Sequence, residues 1–225
     1  MADATPTVLM WSGGKDAALA LEALRTEEGY AAEALVTTVI EGADTVTMHG
    51  VPLDLIQSQA AVLSIPLHVM RVPPAPSNAT YEERLERTLA PLLARGLTTV
   101  AAGDLFLEDI RAYRQDVLGR IGAEALFPIW GRDTNALATH FFDVGFRAVV
   151  CSVDTTRLDG AFAGQRYDAA FVERLPENTD PCGEHGAFHT FVTDGPLFAA
   201  PVPVSVMEQH GTGRMRYAQL EPGEP

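Results

Sequence analysis

The run Val8-Leu9-Met10-Trp11-Ser12-Gly13-Gly14-Lys15-Asp16-Ala17-Ala18 constrains this chain more than any other segment. A short apolar stretch ends in Ser-Gly-Gly-Lys-Asp, and Ala/Leu-rich helical sequence follows at once. That order reads as a buried strand, a tight glycine turn and the first turn of a helix. Adjacent glycines let a backbone approach a ligand and take φ values that other residues resist. The helix N-terminus presents unpaired N–H groups and partial positive charge to an anion. Ser12 adds a hydroxyl and Lys15 a mobile cation. Phosphate binding is the expectation, since a plain strand–helix turn needs neither the lysine nor both glycines. The run lacks the Gly-x-x-x-x-Gly-Lys-Ser/Thr spacing of a Walker A loop and the Gly-x-Gly-x-x-Gly of a dinucleotide fingerprint.

The first half alternates strand and helix. Strands are expected at 7–11, 34–40, 67–72 and 98–102, and helices at 15–28, 53–63, 80–95 and 109–121. A proline-rich break covers 73–78. Single helices between strands imply parallel pairing with right-handed crossovers, and a ligand at the carboxyl ends of the strands. Gly103-Asp104 falls at such an end, as the glycine turn does. After Ile129-Trp130-Gly131 the rhythm changes. A helix at 135–144, a strand at 148–153, a Gly/Asp-rich stretch at 154–164 and a short helix near 167–173 follow. The expected architecture is α/β: a parallel-sheet, Rossmann-like nucleotide domain over 1–130 and a smaller mixed α+β domain over 131–225.

Bulk properties narrow the function classes. With 47% hydrophobic and 20% charged residues in 225, a packed core is expected. A formal net charge of −14 argues against DNA, RNA and anionic membrane as nonspecific partners. The chain carries 2 Cys and no CxxC, which fits a reducing cytoplasm rather than a disulfide framework. No apolar run is long enough to span a membrane, and Asp3 precedes the first apolar run in place of a basic region.

A second unusual segment is Asp180-Pro181-Cys182-Gly183-Glu184-His185-Gly186-Ala187-Phe188-His189-Thr190-Phe191-Val192. Its glycines bend the backbone around polar side chains. A hairpin turn entering a strand at 188–192 accounts for it equally well on composition alone. A metal triad of Glu184, His185 and His189 is disfavoured, because no helical i, i+4 pair is present.

Ser12-Gly13-Gly14-Lys15-Asp16 resembles the Ser-Gly-Gly-x-Asp-Ser signature of the PP-loop ATP pyrophosphatases, with Ala17 in place of the final serine. Cys-Gly-Glu-x-Gly-x-Phe-His-Thr-Phe-Val late in the same chain is similar to the diphthine–ammonia ligase family. Met48-His49, Gly103 to Asp109 and Pro128-Ile129-Trp130 agree with that resemblance, which spans nearly the whole chain. Two departures stand out: His185 replaces the family's asparagine, and Ala187 replaces an acidic residue.

The resemblance implies a HUP-type nucleotide fold and an ATP-dependent amidation. A carboxylate attacks the α-phosphate, pyrophosphate leaves, and ammonia then displaces AMP. The acceptor it implies is a modified histidine of a translation factor, with a small-molecule carboxylate as the alternative. Mg²⁺ is expected on Asp16, which otherwise caps the helix. Nucleotide contacts are expected from Ser12, Gly13, Gly14, Lys15, Asp16, Thr38, Met48, His49, Gly103 and Asp104. On the acceptor side stand Glu108, Asp109 and Arg111, with Gly183, Glu184, Gly186, His189 and Thr190 from the second segment. Lys15, Asp16, Glu184 and His189 are the candidate catalytic residues. Glu184 would orient ammonia or take its proton, and His189 would move a proton or bind the intermediate. Two other functions fit parts of the pattern. One is RNA thiolation, which lacks a CxxC and a basic surface here. The other is an adenine-nucleotide sensor, for which Ala17 and Ala187 would be signs of lost chemistry. A homo-oligomer is compatible with the sequence.

Overall fold

The computed structural model describes residues 4–26, 29–211 and 213–223. Asp3 and the last two residues expected in the first helix, Glu27 and Glu28, lie outside them. In chain order the elements are β1 (Thr5–Met10), α1 (Lys15–Thr26), β2 (Tyr30–Ile40), α2 (Leu53–Leu63), β3 (Leu67–Val72), α3 (Asn78–Leu93), β4 (Thr99–Ala101), α4 (Glu108–Arg120), β5 (Glu124–Leu126), α5 (Thr134–Asp143), β6 (Arg147–Asp154), β7 (Arg166–Tyr167), α6 (Ala169–Glu173), β8 (Phe188–Asp194), β9 (Val204–His210) and β10 (Met215–Pro222).

Contacts group the chain into two units. One comprises Met1–Ser12, Asp16–Asp44 and Ser64–Gly131; the other comprises Gly13–Lys15, Thr45–Leu63 and Arg132–Pro225. Two early pieces, the middle of the glycine turn and the stretch carrying α2, therefore group with the later half of the chain.

The first unit is built on a five-stranded sheet in the order β3-β2-β1-β4-β5, parallel throughout. Strand β1 is central, and its Val8 and Leu9 are fully buried, as a strand covered on both faces requires. Val8, Val36, Met70 and Val100 meet Leu85, Leu89 and Leu92 of α3 and Val117 and Leu118 of α4 in one core cluster. The three leucines recur at i, i+4 and i+7, one stripe of a helix. Each buried leucine contributes about 1.5–3 kcal/mol. Helix α3 starts two residues before the expected 80, because the Ser77 hydroxyl accepts the Thr80 N–H (3.2 Å) and caps it. The strand order reverses direction at β1 and β4, so the loops after those strands flank the switch point where open parallel sheets bind ligands.

The second unit contains an antiparallel sheet centred on β6, which pairs with β7, β8 and β10, while β9 pairs with β10. Phe141, Phe146, Tyr167, Phe171 and Phe188 form its aromatic core; the Phe171 and Phe188 rings lie 5.2 Å apart, edge to face. Several elements differ from expectation. The helix expected near 167–173 begins at Ala169, and Tyr167 instead belongs to β7, paired with Ala148 and fully buried. Asp168 caps α6 by accepting the Phe171 N–H at 2.9 Å. Strands β5, β9 and β10 carry no sequence pattern that marked them.

Candidate functional site

The glycine turn is held by side chains and backbone far away in sequence. Gly13 has φ +80°, and a Cβ there would lie 2.6 Å from Ile56 Cδ1 and 2.7 Å from Gln59 Oε1, so only glycine fits. Its carbonyl accepts two hydrogen bonds, from the Val192 N–H (2.9 Å) and from Gln59 Nε2 (3.0 Å). Helix α1 begins at Lys15, whose N–H is among those with no partner inside the helix. It donates to Thr190 Oγ1 at 3.0 Å. Thr190, expected to contact substrate, thus caps α1 from a distance of 175 residues in sequence. Its hydroxyl keeps its own hydrogen as a donor.

Lys15 is not the mobile cation expected. Its side chain is 2% exposed, and Nζ lies 5.5 Å from the centroid of the Phe188 ring. Enclosure by the strand that carries the second motif fixes the charge in place.

Met48 and His49 sit at the tip of a loop closed by Thr45 bridging Pro52 and by Val46 N–H on Val51 O (2.8 Å). The His49 N–H donates to Thr47 O (2.8 Å), closing a three-residue turn about Met48, whose φ is +65°. That turn is strained for a side-chain-bearing residue. Ser152, fully buried, donates its hydroxyl to Met48 O at 2.9 Å and holds the turn. The His49 and His189 rings are 4.5 Å apart. Burial lowers the His49 pKa to about 4, with the Lys15 charge acting the same way and a hydrogen bond to Thr47 O opposing it. Burial, then His49 and Lys15, holds His189 well below the usual histidine range. Both rings are neutral at neutral pH. Of the two roles expected of it, proton transfer and binding of the intermediate, a neutral, weakly basic His189 suits hydrogen bonding to an intermediate better. Among the described residues its buried Nε2 has no hydrogen-bond partner, which leaves bonding capacity for a water or a bound group.

The loop bearing Glu184 is shaped by Asp180. One Asp180 oxygen accepts the Cys182 N–H (2.8 Å), and more weakly the Glu184 N–H (3.4 Å); the other accepts the Thr134 hydroxyl (2.6 Å). Gly183 has φ +73°, and a Cβ would meet Phe188 O at 2.6 Å. Glu184, His185 and Gly186 make one short 3-10 turn, with Glu184 half-buried and His185 exposed at φ +60°. Histidine, like the asparagine it replaces, tolerates that left-handed conformation better than most residues. Ala187 is buried, and its N–H donates to Gly183 O (3.1 Å). An acidic side chain at 187 would need a buried partner.

The remaining expected residues belong to the first unit. Ser12, Asp16 and Thr38 are half-buried. Gly103 brings the loop after β4 against the start of α1: a Cβ there would lie 2.6 Å from Asp16 O. Its missing side chain thus makes room for the protein's own backbone. Asp104 is ion-paired with Arg114 at 2.7 Å. The Arg111 guanidinium stacks over Trp130 (4.6 Å to the centroid) and Phe127 (5.7 Å). Glu108 and Asp109 are exposed in the first turn of α4, where their charge complements the helix dipole. Among the described residues no group of three or more His, Cys, Asp or Glu side chains could hold a metal ion, and no helix is long and apolar enough to cross a membrane.

Two family descriptions match in chain order: diphthamide synthase N-terminal domain over residues 5–125, and diphthamide synthase C-terminal domain over residues 133–223. The chain belongs to the diphthamide synthase family. A diphthine–ammonia ligase from Schizosaccharomyces pombe is 26% identical over 131 residues, which cover 56% of this chain and 22% of that protein. The matched segment thus spans about a fifth of the relative's length. A crystal structure described as a predicted subunit of tRNA methyltransferase from Methanocaldococcus jannaschii matches at 19% identity, with a TM-score of 0.40, over 64% of this chain and 80% of that one.

In this diphthamide synthase family member, two residues that hold the site, Gln59 and Ser152, lie outside both motifs, and Asp180, which opens the second segment, has a supporting role that its sequence position does not reveal. Of the two outside the motifs, Gln59 carries a visible signal. It stands between Ile56 and Leu63 on the otherwise apolar buried face of α2. A polar residue in such a stripe has to find partners. Gly13, Gly14, Lys15, Met48, His49, His189 and Thr190 share the second unit with them. Ser12, Asp16, Thr38, Gly103, Asp104, Glu108, Asp109 and Arg111 are placed in the first.

Proposed function

We propose that this chain is an ATP-dependent ligase that converts a carboxylate to an amide with ammonia, releasing AMP and pyrophosphate. One observation carries the reading. The Ser-Gly-Gly-Lys-Asp turn and the Phe-His-Thr-Phe-Val strand are hydrogen-bonded to each other through Lys15–Thr190 and Gly13–Val192. The turn read as an anion site and the segment that resembles the diphthine–ammonia ligase family are thus bonded together. Family membership supports ATP as the energy source, and the S. pombe relative supports ammonia as the nucleophile.

In this reading the acceptor carboxylate oxygen attacks the α-phosphorus and the bond to the β-phosphate oxygen breaks. Ammonia then attacks the acyl carbon, AMP leaves, and one proton is lost. The helix N-terminus and buried Lys15 stabilise charge on the departing pyrophosphate. Thr190 and the orphaned His189 Nε2 hydrogen-bond the reacting groups. Glu184, on its bent loop, orients ammonia and takes the proton. A magnesium ion on a polyphosphate asks of the protein only one or two carboxylates. Asp16, at the start of α1, fits that need, and the ion when bound would neutralise phosphate charge. The acceptor is a modified histidine of a translation factor or a small carboxylate, and the setting is cytoplasmic.

The test is incubation with ATP, magnesium, ammonium and candidate carboxylates, with nucleotide products read by mass. AMP and pyrophosphate formed only when both ammonium and a carboxylate are present is the expected result. ADP as the product overturns the reading.

A further inference from the structure

Three consecutive residues of the Met48 loop rest on one row of side chains across the antiparallel sheet. In the strand register Ser152 of β6 lies opposite His189 of β8 on one side and Tyr217 of β10 on the other. Residues directly opposite one another on neighbouring strands share a face of the sheet. His189, Ser152 and Tyr217 therefore form one row, and His210 of β9, opposite Tyr217, extends it.

Each loop residue meets one member of that row. The Met48 carbonyl accepts the Ser152 hydroxyl at 2.9 Å. The His49 and His189 rings lie 4.5 Å apart and are tilted by 37°. Gly50 packs so closely on Tyr217 that a Cβ there would lie 2.5 Å from Tyr217 Cδ1. His210 backs the Tyr217 ring, with centroids 5.6 Å apart and planes tilted by 24°. Inside the loop the Gly50 N–H donates to Val46 O at 2.9 Å. His49 Nδ1 lies 3.1 Å from Thr47 O, and a carbonyl only accepts, so Nδ1 carries the hydrogen.

The His189 ring needs such support. The last torsion of a histidine side chain is broad, so packing settles the ring plane. The buried Nε2 has no hydrogen-bond partner among the described residues, and no bond at that atom fixes the ring. The His49 ring lies against it, and both neighbours of His49 in the chain are anchored, Met48 on Ser152 and Gly50 on Tyr217.

We infer that Tyr217 is a positioning residue for His189, acting through Gly50 and His49: it seats the loop so that the His49 ring holds the His189 ring in the orientation its hydrogen bond to the reacting groups requires. This rests on the ligase reading above. Tyr217 acts through the loop and not on substrate. The same seating keeps water from both rings, since burial is the largest cause that holds the two histidines below their ordinary range.

The test compares wild type with Tyr217→Ala, which removes the ring against Gly50, Tyr217→Phe, which keeps it, and Gly50→Ala, whose methyl has no room beside Tyr217. Three quantities are read on the full chain: the His189 ring titration by NMR, ATP affinity by calorimetry, and kcat for AMP release with ammonium and a carboxylate. In Tyr217→Ala and Gly50→Ala, His189 should titrate at higher pH than in wild type, toward the ordinary histidine range. In both, kcat should fall about tenfold while ATP affinity stays within about twofold. Tyr217→Phe should match wild type. Retained ATP affinity reports an intact fold. An unmoved His189 titration or an unchanged kcat in Tyr217→Ala overturns the inference. So does a loss of ATP affinity in step with kcat, which would assign Tyr217 to general stability. Tyr217→Phe behaving like Tyr217→Ala overturns it as well, because the hydroxyl and not the ring would then matter. If wild type releases no AMP, the ligase reading fails, and the His189 titration alone decides whether Tyr217 seats the ring.

Discussion

The two polar motifs of this chain are built in opposite ways. The turn at Gly13–Lys15 is buried, and its backbone groups are bonded to Gln59, Thr190 and Val192. The loop at Gly183–Gly186 carries a half-buried Glu184 and an exposed His185, and the Asp180 carboxylate accepts the Cys182 and Glu184 N–H groups at its start. The first motif is clamped by a side chain and a strand far away in sequence; the second is bent by a carboxylate within its own segment, with Cys182 Sγ on Thr134 O and the Tyr167 hydroxyl on Pro181 O beside it. A buried turn suits binding of a fixed anion, whereas a loop that leaves Glu184 half-buried suits a side chain that meets a small, arriving reactant. Damage to the turn should therefore appear in nucleotide chemistry, and damage to the loop in amide formation.

The largest effect is expected at the turn. Lys15→Ala and Asp16→Ala should each cut pyrophosphate release about 100-fold or more, the scale of losing a preorganised charge stabiliser, while circular dichroism shows the fold retained. Residual release near wild type in either variant would separate the turn from the chemistry. Next, Asp180→Ala removes the acceptor for the Cys182 N–H and the Thr134 hydroxyl, at an expected cost of about 2–3 kcal/mol by denaturant melts. Amide formation should fall with ATP affinity preserved. A loss of ATP affinity as large as the loss of turnover would erase the distinction between the motifs.

Acid should probe the histidines beside the turn. His49 titrates near 4 when folded, against about 6.5 when unfolded. Between those values the unfolded chain binds the extra proton, so stability is full above pH 6.5 and is lost as pH falls toward 4. From pH 7.5 to pH 5 the expected loss from His49 is about 2 kcal/mol in urea-derived stability, and His49→Gln should flatten that slope. Glu184→Gln should then lower amide formation about tenfold, leaving ATP affinity within about twofold; a loss confined to ATP affinity would move Glu184 to the nucleotide side. The smallest change is Met48→Gly. Its φ of +65° suits glycine, so relief of strain should raise stability by up to about 1 kcal/mol.

Much of the first unit was legible. Expected elements at 53–63 and 67–72 coincide with α2 and β3, because each is bounded by clear breakers and carries its own periodicity. Strand β5 was missed, since Glu-Ala-Leu is too short to show a period and forms only beside β4. Strand β9 was missed because almost every residue of it faces solvent, so no alternation was written into it, and β10 forms only by pairing with β9 and β6. Arg111, named at sequence level for the acceptor side, is stacked on Trp130, a contact no local pattern announces.

Sequence alone determined the strand–turn–helix opening, the parallel alternation behind it and the positions of both motifs, because these depend on neighbours within a few residues. Tertiary structure decided that the motifs bond to each other, that Lys15 is buried, and that Gln59, Ser152 and Asp180 hold the backbone in place. Those facts rest on hydrogen bonds and burial between residues tens to hundreds of positions apart, where only the folded chain brings donor and acceptor within reach.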